Sequence, residues 1–182
     1  MASSPYIRAM HPKTEIRPDR TTMQRVIDSG WVGQLKIHGH RAQIHLSADE
    51  REPIIVYNRQ RQRHKRPLSP RMERELRRLF QPQKGWTALD AEWLKPEDKL
   101  FVFDALKWEG KNLSALTYPE RWALLPRDYI SNCVSTLRLL STLEQCMKAF
   151  SKPDPWIEGL VFKSTTTPGF SDTSIVRCRK RS

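Results

Sequence analysis

Residues 31–36 (WVGQLK) and 41–46 (RAQIHL) are both rich in Val, Ile and Leu, which is the composition of strands. Between them Gly39 marks a place where the chain turns or lets a ligand approach its backbone. Side chains in a strand alternate faces. Gln34, Lys36 and His38 therefore share one face, and Leu35 and Ile37 take the other. The apolar pair belongs in a core, which leaves the three polar groups facing a cleft.

The remaining pattern is not a regular strand–helix alternation. Residues 22–29 read as a short helix stopped by Gly30. Residues 54–58 read as a strand. Pro70 opens a helix with Met72, Leu76, Leu79 and Phe80 on one side and Arg71, Arg74, Arg77 and Arg78 on the other. Residues 86–94 and 100–106 read as a hairpin, with Leu89, Ala91 and Trp93 opposite Asp90 and Glu92. A capping box at Thr117 to Glu120 predicts a helix to about Ile130. Residues 134–140 read as a strand. A second capping box, Ser141 to Glu144, predicts a helix ending near Phe150. Residues 156–163 and 174–179 are the last expected strands. This mixture predicts an α+β fold of mainly antiparallel sheets flanked by helices, with a cleft between the sheets. Residues 1–20, polar with three prolines, read as an extended arm, and residues 21–182 as one domain.

A net charge of +12 points to a polyanionic partner, and nucleic acid is favoured because arginine dominates the basic residues. The densest basic run is the segment 59–70, with Arg59, Arg61, Arg63, Lys65 and Arg66 as candidate nucleic-acid contacts. Three cysteines without a CxxC pair argue against a disulfide framework or a zinc site and fit a reducing compartment. No apolar run is long enough to span a bilayer, and no signal-peptide core is present. A cytoplasmic or nucleoid- or nucleus-associated location and a monomeric state are the expectations. Lys36 can act as a nucleophile only when neutral, and a lysine ordinarily titrates at about 10.4. Lys163, Arg177 and Arg179 are cations that would ease its deprotonation and bind phosphates. Glu92 and Glu158 are carboxylates able to hold a magnesium ion or a ribose hydroxyl.

The order KIHGHR, LDAEW, LFVFDAL, EGLVFK and then a basic strand resembles the ordered motifs of covalent nucleotidyltransferases. That superfamily comprises ATP-dependent DNA ligases, RNA ligases and mRNA capping enzymes. The resemblance covers about residues 20–180. It implies ATP and Mg2+, with Mn2+ as a substitute, and Lys36 as the residue that becomes Lys-AMP. By the same resemblance Gln34 would read the adenine edge, Ile37 would line the nucleotide, and Arg41 and Arg59 would lie at ribose or phosphate. Glu92 would bind the ribose and Phe103 would stack on the base. Glu158 would assist the metal, with Glu92 as a second carboxylate. Lys163, Arg177 and Arg179 would bind phosphates. Glu158 and Lys163 are five apart, so an ideal strand would put them on opposite faces; a bulge at Gly159 would bring both to the cleft.

Three departures stand out. His38 replaces the usual Asp of the KxDG motif, as in some RNA ligases. Arg177-Cys178-Arg179 replaces Lys-x-Lys, which keeps the charge but changes its geometry. No OB-fold domain is expected after the last motif. The implied reaction is sealing of a 5′-phosphate to a 3′-hydroxyl in nicked or broken DNA, as in replication and repair. The continuation GHRAQIH is similar to DNA ligases and favours that reading; the KIHG core alone is closer to RNA ligases. A capping enzyme is disfavoured. The rival from another class is a non-catalytic nucleic-acid-binding module on a ligase-like scaffold.

Overall fold

The computed structural model describes residues 4–127 and 131–180. Two sheets face each other across a cleft. The first has the order β1 (Thr14–Glu15), β10 (Ile175–Arg179), β9 (Ile157–Ser164) and β2 (Trp31–Ile37). The second runs β4 (Ile55–Tyr57), β3 (His40–Ser47), β5 (Trp86–Leu94), β6 (Lys99–Trp108) and β7 (Lys111–Asn112), with β8 (Val134–Thr136) also on β6. Pairing is antiparallel except for β1 with β10 and β8 with β6. The α+β architecture expected from the sequence is the observed one.

Alternation sorts the residues of both sheets. On β9, Leu160 and Phe162 are fully buried with Cys178 of β10 and with Met23, Cys146 and Ala149. Those last three lie on α1 (Arg20–Asp28) and α4 (Leu143–Phe150), which cover the outer face of the first sheet. On β3, Ala42, Ile44 and Leu46 pack with Met72, Leu76 and Phe80 of α2 (Pro70–Phe80), which covers the outer face of the second sheet. The opposite side of each strand supplies the polar residues between the sheets. α2 begins where expected because Ser69 accepts from the Met72 amide and Pro70 occupies the first turn.

Three elements differ from the sequence reading. The helix after Thr117 is only α3 (Tyr118–Trp122), although the Thr117 amide does donate to Glu120 as a capping box requires (2.7 Å). Pro126 disfavours helical geometry in the residue before it, so the turn cannot continue through Leu125. The expected end near Ile130 lies outside the described residues. The expected strand over 134–140 is a strand only to Thr136. Beyond it the chain crosses between sheets: Leu137 donates to Val102 on β6, and Leu140 exchanges two backbone hydrogen bonds with Gly33 on β2. The cap of α4 is Thr142, one residue later than expected, and its hydroxyl accepts from Gln145.

The arm is extended and lies against the body. Ile7 exchanges two 2.8 Å hydrogen bonds with the Gln43 side chain, and Ser4 Oγ lies 2.7 Å from His45 Nδ1. Gln43 and His45, inward polar residues of β3, lie 2.8 Å apart through Oε1 and Nε2, and the arm satisfies the polar atoms that this contact leaves over. Burial drives the His45 pKa down to about 4, which keeps the ring neutral.

The bulge anticipated at Gly159 is present. Lys36 pairs with Gly159 and Ile37 with Ile157, so Glu158 is the extra residue. A Cβ on Gly159 would lie 2.1 Å from the Cys178 carbonyl oxygen and 2.8 Å from Arg179 Cα, and φ is +153°. Both contacts are backbone and cannot yield without parting β9 from β10. Gly159→Ala is expected to lower unfolding free energy by roughly 3 kcal/mol or more, read from urea denaturation. Gly110→Ala, where the nearest such atom is 3.7 Å away, is expected to cost about 1 kcal/mol through its positive φ alone.

Candidate active site

The space between the sheets is a cleft of about 390 Å³. Gln34, Lys36 and Ile37 of β2, Val161 and Lys163 of β9, and Arg177 and Arg179 of β10 form one wall. Arg41, Asp90, Glu92 and Phe103 form the other, and Met10, His11 and Pro12 of the arm also border it. Of the residues singled out for the nucleotide or metal, all line this cleft: Gln34, Lys36, Ile37, Arg41, Arg59, Glu92, Phe103, Glu158, Lys163, Arg177 and Arg179. Arg61, Arg63, Lys65 and Arg66 stand apart, exposed on the loop after β4.

Lys36 Nζ donates to Glu158 Oε2 at 2.5 Å, and both side chains are about three-quarters buried. His38 Nδ1 lies 3.5 Å from the same oxygen. Burial pushes the Glu158 carboxyl upward, but the Lys36 ammonium, with help from His38, outweighs it and holds Glu158 below the usual carboxylate range. This contact exists because of the bulge, which turns Glu158 away from the face that Leu160 and Phe162 occupy.

Deeper in the cleft Lys163 is 2 % exposed. Its Nζ donates to Gln34 Oε1 at 3.0 Å and lies 4.0 Å from the Tyr118 ring centroid and 4.7 Å from that of Phe103. Burial drives its pKa down to about 7, against the pull of Asp104 and Asp90. Gln34 itself is buried, with Nε2 donating to the Leu137 carbonyl at 3.1 Å. Its oxygen also lies 2.8 Å from Tyr118 Oη, whose single proton is shared with the Phe103 carbonyl at 2.7 Å. The Gln34 amide is thus engaged with protein atoms at both its oxygen and its nitrogen.

On the facing wall Arg41 forms a bidentate pair with Asp90 and donates to the Met10 carbonyl. Its guanidinium stacks 5.0 Å from the Phe103 ring centroid. Glu92 sits across from Arg41 in the ladder and accepts from the Gly39 amide at 3.2 Å. Burial raises its pKa to about 7, and Arg41 and Lys36 only partly oppose the shift. Asp104, which also borders the cleft, and Arg121, both buried, form a second bidentate pair.

Sequence reasoning did not find Tyr118, Arg121 or the arm residues Met10 to Pro12. Tyr118 is 84 positions from Gln34, and no spacing signals the contact. Among the described residues no three His, Cys, Asp or Glu side chains converge as a metal site.

The two opposed, mainly antiparallel sheets have the fold of ligase-type nucleotidyltransferase domains. Solved structures with this fold agree. A mycobacterial DNA ligase D complexed with ATP and MES superposes with a TM-score of 0.62 at 14% identity, covering 85% of this chain and 56% of that one. The ligase domain of LigD from M. tuberculosis gives 0.57 at 16% identity, with 92% and 58% covered. A structure designated Pmar-Lig_PreS3 gives 0.56 at 14% identity, with 92% and 46% covered. The chain thus spans about half the length of these structures. No sequence model of a protein family matches it, and no curated protein sequence does. No helix among the described residues is long and apolar enough to cross a membrane.

The two shifted groups give opposite pH dependences. Glu92 has a folded pKa of about 7 against an ordinary 4.5, so the folded state holds the extra proton and stability falls as pH rises from about 4.5 to 7. Lys163 has a folded pKa of about 7 against 10.5, so the unfolded state holds the extra proton and stability rises from about 7 to 10.5. The gain of Glu92→Gln over the wild type is expected to grow by about 2 kcal/mol between pH 5 and 8. That of Lys163→Met is expected to shrink between pH 8 and 10. Urea denaturation across the pH series reads both.

Proposed function

We propose that this chain is the nucleotidyltransferase domain of an ATP-dependent DNA ligase, with Lys36 as its nucleophile. The observation that carries the proposal is the placement of Lys36 Nζ on the cleft wall against Glu158, with Lys163, Arg177 and Arg179 on the same wall. Lys36 attacks the α-phosphorus of ATP. The Lys36 ammonium first gives one proton to Glu158, already in contact, which frees the lone pair; an N–P bond then forms as the bond to pyrophosphate breaks, and the second proton leaves Nζ for solvent. The cationic wall neutralises the charge that builds on the phosphates. Phe103 offers its ring to the base, and Glu92, titrating near neutrality, can donate to or accept from a ribose hydroxyl. The adenylate then passes from Lys36 to a 5′-phosphate. A 3′-hydroxyl displaces AMP and closes the strand.

Mg2+ is commonly held by one or two carboxylates plus substrate phosphates, so Glu158 and Glu92 fit a site completed by the nucleotide. A bound Mg2+ would supply further charge neutralisation at the phosphates. DNA as substrate is supported by the DNA ligase D structure of the same fold and by the exposed arginines at 59–66. That loop is built to present them: the Asn58 side chain accepts from the Gln60 and Gln62 amides, and His64 reaches the Arg41 carbonyl at 3.1 Å.

The test is self-adenylylation with ATP labelled at the α-phosphate. Label that survives denaturation, fails to appear with GTP, and is lost in Lys36→Ala by a factor of at least 10³ is the expected result. An unlabelled wild-type protein that still binds nicked DNA would favour the non-catalytic binding module. Sealing of nicked DNA against nicked RNA then separates the two ligase classes. For the loop, Arg61→Ala with Arg63→Ala is expected to weaken nicked-DNA binding and to flatten the log K against log salt slope by about 2.

A further inference from the structure

We propose that Glu15, on the N-terminal arm, is a positioning residue that sets Arg177 and Arg179 for the triphosphate of the nucleotide. The inference rests on the nucleotidyltransferase reading of the cleft and adds to it a residue from outside the cleft.

The geometry begins with β1, two residues that pair in parallel with β10 and place Glu15 opposite Arg177. Ile16 packs into the apolar cluster with Met23 and Cys178. Alternation therefore sends Glu15 to the other face, the one that carries Arg177 and Arg179. Its carboxylate takes Nε of Arg177 at 3.0 Å, and Nε and Nη2 of Arg179 at 3.0 and 2.7 Å. The Arg179 contact is a two-point fork, the arrangement that fixes a guanidinium in orientation as well as in place. Nη1 of Arg179 is left pointing inward, 3.9 Å from Glu158 Oε1, the carboxylate that contacts Lys36. Both arginines line the cleft and Glu15 does not. The carboxylate thus holds the two arginines from behind, by the sides that ligand would not use.

A surface arginine is otherwise costly to hold still, since its long side chain has many rotamers to lose. Two of them, converged by one carboxylate, lose that freedom before the ligand arrives. The Arg179 hydrogen bond, with Arg177 adding, lowers the Glu15 pKa, so the carboxylate stays charged at neutral pH. Loss of Glu15 would not release the arm. His11 N and Lys13 Nζ bind Asp172 at 2.9 and 3.0 Å, and Ile7 stays paired with Gln43. A Glu15 variant therefore reports on the arginines.

The experiment compares ATP and AMP binding, by calorimetry with Mg2+ and with ATP supplied as its α,β-methylene analogue so that no AMP is transferred, for the wild type, Glu15→Ala, Glu15→Gln and Glu15→Asp. The wild type is expected to bind ATP more tightly than AMP. Glu15→Ala and Glu15→Gln are expected to weaken ATP about tenfold while AMP changes less than twofold, with Glu15→Asp recovering part of the loss. Self-adenylylation at saturating ATP should then keep its rate while the ATP concentration for half-maximal rate rises. Unchanged ATP binding in Glu15→Ala would make Glu15 a plain arm anchor, and tighter binding would make it a competing anion. Equal losses for ATP and AMP would indicate general damage to the cleft. Each of these overturns the proposal, as does a wild type that binds ATP no better than AMP. A wild type that shows the ATP-selective effect but forms no Lys36 adduct would sink the covalent reading and leave the role of Glu15 standing.

Discussion

The cleft depends on one irregularity in β9. With regular alternation Glu158 would join Leu160 and Phe162 beneath α1 and α4, burying a carboxylate in an apolar layer. The bulge adds one residue against β2, and Glu158 turns to meet Lys36 while Lys163 keeps its place on the cleft face. The device needs a residue without a Cβ, because the β10 backbone passes directly over Gly159. The acid and base at the mouth, the buried lysine deeper in, and the close approach of β9 to β10 all rest on that feature.

Charges inside the cleft follow a consistent division. Arg41 with Asp90, and Arg121 with Asp104, are bidentate pairs that satisfy each other and brace the second sheet. Breaking such a pair leaves an uncompensated buried charge, which typically costs 3–5 kcal/mol. Lys163 and Glu92 have no such bidentate partner, and burial moves both toward neutrality near pH 7. An anionic nucleotide would restore the Lys163 charge at that position. The matched pairs form the frame of the cleft, and Lys163 and Glu92 are ionisable groups in it that lack such a bidentate partner.

The arm is part of that frame. It supplies partners for Gln43 and His45, contributes Met10 to Pro12 to the cleft border, and carries Glu15 to the arginines of β10. It is attached by side-chain and backbone hydrogen bonds and by four apolar residues, Ile7, Ala9, Met10 and Ile16, that pack singly or in pairs into separate clusters. This explains why its sequence, short of apolar periodicity, reads only as an extended polar lead-in.

The sequence by itself determined the strands on either side of Gly39, the α2 face, the β5–β6 hairpin and the need for a bulge at Gly159. The first three rest on local rules, alternation and capping, that act within a few residues, and the bulge on alternation together with the motif resemblance that assigns both Glu158 and Lys163 to the cleft. It also singled out residues that line one cleft, through the order of short motifs. The tertiary structure alone decided what those residues do to one another. The Gln34 amide is held by Tyr118, Lys163 and Leu137, and Glu15 faces Arg179 across 164 positions. The helix after Thr117 is cut short by Pro126, and the chain beyond Thr136 leaves its sheet to pair with Gly33. Contacts of this kind depend on where distant strands meet, and no local periodicity records that. The pKa values near 7 of Glu92 and Lys163 have the same origin, since desolvation is a property of the assembled cleft.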